Sequence, residues 1–157
     1  MTICRLAITL SLMAGTAFAA GSGDHSHGDA LAVGKPAPDS EADRTVEIKM
    51  IETDSGMGFE PAELTVQKGE TIRFMVTNAG QLEHEIVLGT EESNLDHKEE
   101  MAGMDGEMQH DDPNALTLDP GAEGELVWTF SNAGTFQYAC LIPGHMEAGM
   151  HGPITVD

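Results

Sequence analysis

Apolar and polar residues alternate with a period of two over much of this chain, the signature of half-buried strands. Val46, Ile48 and Met50 are separated by Glu47 and Lys49. Ile72, Phe74 and Val76 repeat the pattern across residues 71–77, which stop at Asn78, Ala79 and Gly80. Residues 64–66 run into the turn signal Lys68-Gly69-Glu70, residues 86–88 form a short apolar run, and residues 116–118 lead into Asp119-Pro120-Gly121. Residues 125–130, 135–140 and 154–156 complete the set. Short strands punctuated by Gly, Pro and Asn predict an all-β domain, an antiparallel sandwich or a small barrel.

Three stretches break the rhythm. Residues 89–115 are charged, Met-rich and poor in β-branched side chains, and residues 91–108 have room for one or two short helices. An excursion this long in a compact β domain is functional or mobile, and it is placed here between two strands at one end of the sandwich. Residues 21–43 consist mostly of Gly, Ser, Asp, His, Pro and Ala. They read as a flexible arm, so that the folded domain spans 44–157. Residues 1–20 combine Arg5, an apolar run over 6–18 and the small-x-small end Ala17-Phe18-Ala19. This is the pattern of a cleaved secretory signal, and the run is short of the ~20 residues a membrane span needs. The expected location is the periplasm, with no membrane insertion.

Composition narrows the chemistry. The chain has 157 residues, enough for one domain with a real core. It carries 27 acidic residues against 7 Lys and Arg, a formal net charge of −20. That balance disfavours nucleic acid and anionic membranes and suits cations or a basic protein, although solubility alone accounts for part of it. Of the two cysteines, Cys4 leaves with the signal, so the exported protein keeps Cys140 alone. A lone thiol in an oxidising compartment cannot form an internal disulfide, and its neighbours must explain it.

Those neighbours are Pro143, Gly144, His145, Gly149 and Met150. A β run ends at Cys140, Pro143-Gly144 turns the chain, and one loop then offers a thiolate, an imidazole and a thioether. Two His, one Cys and a long axial Met make the type-1 copper arrangement. Zinc would not recruit a thioether, and a cysteine nucleophile would not call for Met150. The second imidazole must come from elsewhere. His84 is the candidate, because it begins an apolar β run after a turn. His25 and His27 lie in the polar arm, His97 and His110 in the acidic excursion, and His151 next to Met150.

With these residues in place, the chain resembles the cupredoxins, and most closely the periplasmic copper-tolerance cupredoxins of the CopI type. The resemblance rests on the C-x4-H-x4-M loop, the pair His84-Glu85, the acidic Met/His-bearing insert, and residues 118–128 leading to the ligand loop. It covers about residues 44–157, and the His-containing arm as well. It implies a Greek-key β-sandwich with copper held by His84, Cys140, His145 and Met150. Two positions depart from the common electron-transfer cupredoxins. Many of those carry Asn after the upstream His and Ser or Thr after the Cys, where this chain has Glu85 and Leu141. Residues around the ligands tune a metal, so neither the potential nor a blue colour follows from the resemblance.

A second set of soft donors lies in the excursion: His97, Met101, Met104, Met108 and His110. Thioethers prefer Cu(I), and imidazoles accept either copper state. In a helix the three methionines share a face, which reads equally as an auxiliary copper site or as a face packed on the sandwich. His25 and His27 read either as a weak Cu(II) site or as part of a solvated linker. Two functions follow for a chain that is not an enzyme in its own right. One is copper handling in copper tolerance, which the resemblance favours. The other is electron transfer through the edge of His145 to a basic partner such as a c-type cytochrome.

Overall fold

The computed structural model describes residues 31–102 and 112–157. Among these described residues, ten strands form two five-stranded sheets. One sheet has the spatial order β1 (Lys35–Pro36), β8 (Glu123–Thr129), β5 (Thr71–Asn78), β2 (Arg44–Thr53) and β3 (Gly56–Glu60). The other has the order β4 (Leu64–Val66), β10 (His151–Val156), β9 (Gly134–Ala139), β6 (His84–Gly89) and β7 (Ala115–Leu118). The chain passes between sheets from β3 to β4, β4 to β5, β5 to β6, β7 to β8 and β8 to β9. The result is the expected Greek-key sandwich, with one difference in pairing. β2 runs parallel to β5 and β10 parallel to β4, so the sheets are mixed and not purely antiparallel. Both parallel pairs join strands separated by a crossover, as parallel pairing requires.

The alternation seen in sequence fills the space between the sheets. Val46, Ile48 and Met50 from β2 and Ile72, Phe74 and Val76 from β5 are buried. They meet Ile86, Leu88, Tyr138 and Ile154 from the facing sheet in one apolar cluster around Trp128. Phe59 packs edge-on against Tyr138 with ring centroids 5.0 Å apart, an arrangement the aromatic quadrupole favours. Tyr138 carries its hydroxyl out of the core and donates it to the Pro61 carbonyl at 2.6 Å.

The arm differs from its sequence reading. Residues 31–43 are attached to the sandwich, not free of it: β1 pairs with β8 and Val33 is fully buried. The Trp128 indole N–H donates to the Val33 carbonyl at 3.3 Å. Strand pairing, the buried valine with its tryptophan partner, and polar contacts from Arg73 to Asp39 and from the Thr71 N–H to Asp43 together fix a segment whose composition is that of a linker. The remainder of the arm, with His25 and His27, and the signal segment lie outside the described residues.

The excursion between β6 and β7 begins as a helix, α1 (Glu91–Ala102). Thr90 starts it: the Ser93 N–H donates to the Thr90 hydroxyl and the Thr90 N–H to the Ser93 hydroxyl, both at 2.9 Å. This reciprocal pair satisfies backbone donors that a helix start leaves open. Asn94 is buried while Leu95 is exposed, so the helix does not bury a regular apolar stripe. No helix among the described residues is long and apolar enough to cross a membrane.

Candidate metal centre

The site forms where β6 begins and β9 ends. These strands are antiparallel neighbours, with Val87 opposite Ala139. The register sets His84, at the first position of β6, close to the residues that follow β9. Cys140 is the first of these. The loop after it is a compact succession of turns: His145 N–H to Ile142 O at 3.0 Å, Gly149 N–H to Met146 O at 3.0 Å, and Met150 N–H to His145 O at 3.0 Å. Gly144 has a φ of +90°, in the left-handed region that favours glycine. The Cys140 N–H donates to the Met150 carbonyl at 3.0 Å, so the first and last donor residues of the loop lie side by side.

Three donor atoms converge here. A nitrogen of His84, the sulfur of Cys140 and a nitrogen of His145 all lie within 4.8 Å of one another. The two Nδ1 atoms are 3.2 Å apart, and Cys140 Sγ is 3.3 Å from His145 Nδ1. Donors sharing one first-row ion at about 2.0–2.3 Å stand roughly 3–4 Å from each other, so these separations suit a single metal. Met150 is fully buried, like His84 and Cys140, whereas His145 is only partly buried. The set is arranged like a type-1 copper site.

The surroundings hold the donors in place. The Glu85 N–H donates to Cys140 Sγ at 3.4 Å, a contact that suits a thiolate and depends on backbone, not on the side chain at position 85. Burial pushes the Cys140 thiol up to about 11, against the smaller opposing effect of the backbone N–H groups of Glu85 and Ile142. Burial also lowers the pKa of His145, and the neighbouring His84 adds to the effect. Both histidine and cysteine are thus shaped by desolvation, which disfavours the charged form of each.

The loop before His84 is latched by Asn78, which is fully buried. Its amide donates to the carbonyls of Leu82 and Leu118 at 2.8 and 2.9 Å and accepts the Gly80 N–H at 3.0 Å. Glu52 is the residue that sequence reading missed. Its Oε1 accepts the N–H groups of Gln81 and Leu82 at 2.8 and 2.9 Å and lies 3.1 Å from His84 Nε2. The backbone donors of Leu82 and Gln81 hold its carboxyl below the usual carboxylate range, against a smaller effect of burial, and His84 adds to the lowering. One signal was available: Glu52 continues the even-numbered register of Val46, Ile48 and Met50, which is the inward face of β2. An acid on that register points to the end of the core, not to solvent.

The other predicted donors are placed less closely. His97 lies on α1, partly exposed, with Nε2 3.9 Å from Asp112 Oδ2. It is not part of the converging group. Met101 falls in the last turn of α1. Met104, Met108, His110, His25 and His27 lie outside the described residues. Leu141 is fully buried and packs with Val87 and Ala139.

Comparison with known proteins agrees with this geometry. The family described as copper binding proteins, plastocyanin/azurin family, matches residues 46–157. The copper-resistant cuproprotein CopI of Rubrivivax gelatinosus is 48% identical over 135 residues, which cover 86% of this chain and 79% of that protein. The CopI protein of Pseudomonas aeruginosa is 36% identical, over 83% of this chain and 84% of its own length. Among solved structures, reduced auracyanin from Roseiflexus castenholzii superposes with a TM-score of 0.60 at 30% identity, covering 74% of this chain and 98% of that one. A multicopper oxidase shares the fold at 22% identity and a TM-score of 0.52, over 73% of this chain and 38% of that one. By its sequence match, its sandwich and its His-Cys-His-Met site, this chain belongs to the plastocyanin/azurin family of copper-binding proteins and is related to the CopI copper-resistance proteins.

Proposed function

We propose that this protein holds one copper ion at His84, Cys140, His145 and Met150 and acts in copper tolerance in the periplasm, as a redox-active binder and not as an enzyme. The observation that carries the reading is the convergence of His84, Cys140 and His145 within 4.8 Å, beside a buried Met150. Bound copper supplies a one-electron Cu(II)/Cu(I) couple, for which a mixed imidazole, thiolate and thioether set is suited. Burial of His84, Cys140 and Met150 keeps water from three donors, while His145 leaves one edge open to solvent. Support for tolerance comes from the 48% identity to a protein named copper-resistant cuproprotein. Support for export comes from the signal pattern of residues 1–20. Supplementary copper binding by His25, His27, His97, Met101, Met104, Met108 and His110 is a further part of this proposal, which more than one bound copper per chain would support.

The test joins spectroscopy to growth. Copper titration should saturate one strong site with an intense thiolate-to-copper charge-transfer band, and Cys140→Ser should abolish that band. A strain lacking the gene should regain growth on copper with the parent gene and not with Cys140→Ser. A variant that keeps the band would refute the thiolate assignment, and equal rescue by both genes would refute the role of the site in tolerance.

A second reading, a dedicated electron carrier, has its own observation. His145 is the one partly exposed donor, and Ile142, Pro143 and Met146 beside it are also partly or fully exposed. Such an apolar rim within an acidic surface suits docking of a basic c-type cytochrome. Fast, salt-sensitive reduction by a cytochrome, unchanged when residues 91–110 are deleted, would favour the carrier.

A further inference from the structure

We propose that Glu52 is a positioning residue of the copper centre: it holds His84 as the Nε2–H tautomer, turns Nδ1 toward the metal, and biases the site toward Cu(II). The inference rests on the reading of His84 as a ligand. The two ring nitrogens of His84 face different partners. Nδ1 points to the converging donors, 3.2 Å from His145 Nδ1, whereas Nε2 lies 3.1 Å from Glu52 Oε1. A carboxylate near neutral pH only accepts, so in the neutral ring, the form that binds a metal, the proton sits on Nε2 and the lone pair on Nδ1. A carboxylate behind a ligating imidazole fixes its orientation and raises its donor strength. Negative charge near the ion also stabilises the higher metal charge more than the lower one.

The carboxylate is itself built in. Glu52 comes from the sheet opposite to that of His84, and the same Oε1 that faces the imidazole takes the N–H groups of Gln81 and Leu82. It therefore ties the loop before β6 and the ring at its start with one atom. Space is reserved for the contact. A Cβ on Gly80 would stand 2.5 Å from Glu52 Oε1 and 3.0 Å from His84 Nε2. Any side chain at position 80 would enter between the two groups. The absence of one lets an acid from one sheet reach a ligand from the other.

The test begins on metal-free protein, where the imidazole tautomer is read directly from ring nitrogen shifts in NMR. The parent should show His84 protonated at Nε2; Glu52→Leu and Gly80→Ala should both lose that strict preference, whereas Glu52→Gln, whose Oε1 still accepts from the ring, removes the charge alone. Copper-loaded protein is then read by competition with chelators of Cu(II) and Cu(I) and by redox titration. Loss of the charge should weaken Cu(II) binding about 10- to 100-fold and Cu(I) binding about tenfold less than that. A tenfold difference raises the potential by about 59 mV. Glu52→Asp should restore part of the shift. An unchanged tautomer in both Glu52→Leu and Gly80→Ala, or a ratio of Cu(II) to Cu(I) affinity within threefold of the parent in both Glu52→Gln and Gly80→Ala, overturns the proposal. Should Glu52→Gln fail to fold, the tautomer in the parent and the Gly80→Ala variant decide alone. Addition of Cu(I) to the parent separates the two levels of inference. A His84 ring that does not respond to Cu(I) refutes its role as a ligand while leaving the tautomer result intact.

Discussion

Copper loading should expel about one proton per ion in mildly alkaline solution, and the source should be Cys140. The perturbation is the addition of Cu(II) at a series of pH values, with a chelator buffering free copper. Burial raises the metal-free thiol to about 11, and a metal must bind the thiolate. At pH 8 the gap is about three pH units, so about one thiol in a thousand is ionised. Each unit is worth 1.36 kcal/mol, and the deprotonation therefore costs about 4 kcal/mol of apparent affinity at that pH. The sign follows directly: copper prefers the deprotonated site, so affinity rises with pH, about tenfold per unit between pH 7.5 and 9. His145 does not add a proton in this range, because burial and the nearby His84 lower its pKa. Calorimetry in buffers of different ionisation enthalpy counts the protons, and chelator competition gives the slope. A release below half a proton per copper at pH 8, or an affinity independent of pH across this window, would refute the reasoning. Cys140→Ser should abolish the release together with the charge-transfer band.

Other perturbations follow from the same structure. Asn78→Ala removes three hydrogen bonds from a buried position and should cost about 2–4 kcal/mol of stability in urea unfolding, since partners left unsatisfied in the core are expensive. Gly56→Ala should lower both stability and copper affinity, because φ at Gly56 is +149° and a Cβ there would stand 2.3 Å from the Ala148 carbonyl oxygen of the ligand loop. The strain alone is worth about 1–3 kcal/mol, and circular dichroism melts with copper titrations would report it. A chain beginning at Ala37 loses the buried Val33 and the β1 pairing and should lose about 2–4 kcal/mol by the apolar surface it exposes. Lys98→Ala removes the ion pair between α1 and Glu147 of the ligand loop. Both partners reach solvent, so its effect on unfolding should stay below about 1 kcal/mol and vanish at high salt.

The strands with clean alternation were legible because their inward side chains repeat at period two. β2, β5 and β10 all show it, and their large buried apolar side chains, such as Ile48, Phe74 and Ile154, fall where the pattern marks them. β3 was not legible. Gly56, Met57 and Gly58 have little intrinsic strand preference, and the segment is a strand because β2 offers it a partner from Lys49 to Thr53. The attachment of residues 31–43 was hidden for a similar reason. Its anchor, Trp128, is 95 residues away from Val33, and no local pattern announces such a contact. The parallel pairings were hidden too, since alternation tells which face is buried and not which neighbour is chosen.

The site divided along the same line. Cys140, His145 and Met150 could be read because they share one loop and because thiolate, imidazole and thioether together suit copper. His84 could be read because it starts a strand. Glu52 could not be read as easily, since an acid in a strand ordinarily faces water. Only its register with Met50, combined with the way the chain returns at Gly80, brings it to the imidazole.

The hydrogen bond that joins Cys140 to Met150 makes the metal loop a closed hairpin turn with a fixed base. Its two ends continue directly into paired strands, beginning with Ala139 opposite His151. Residues inserted or deleted between them would leave the sulfur donors where the sheet puts them and shift only His145. The loop is thus a replaceable cassette. Grafting turns of other lengths onto this base should vary imidazole placement and solvent access while the sandwich and the thiolate stay unchanged, which gives protein engineers one adjustable ligand against a constant background.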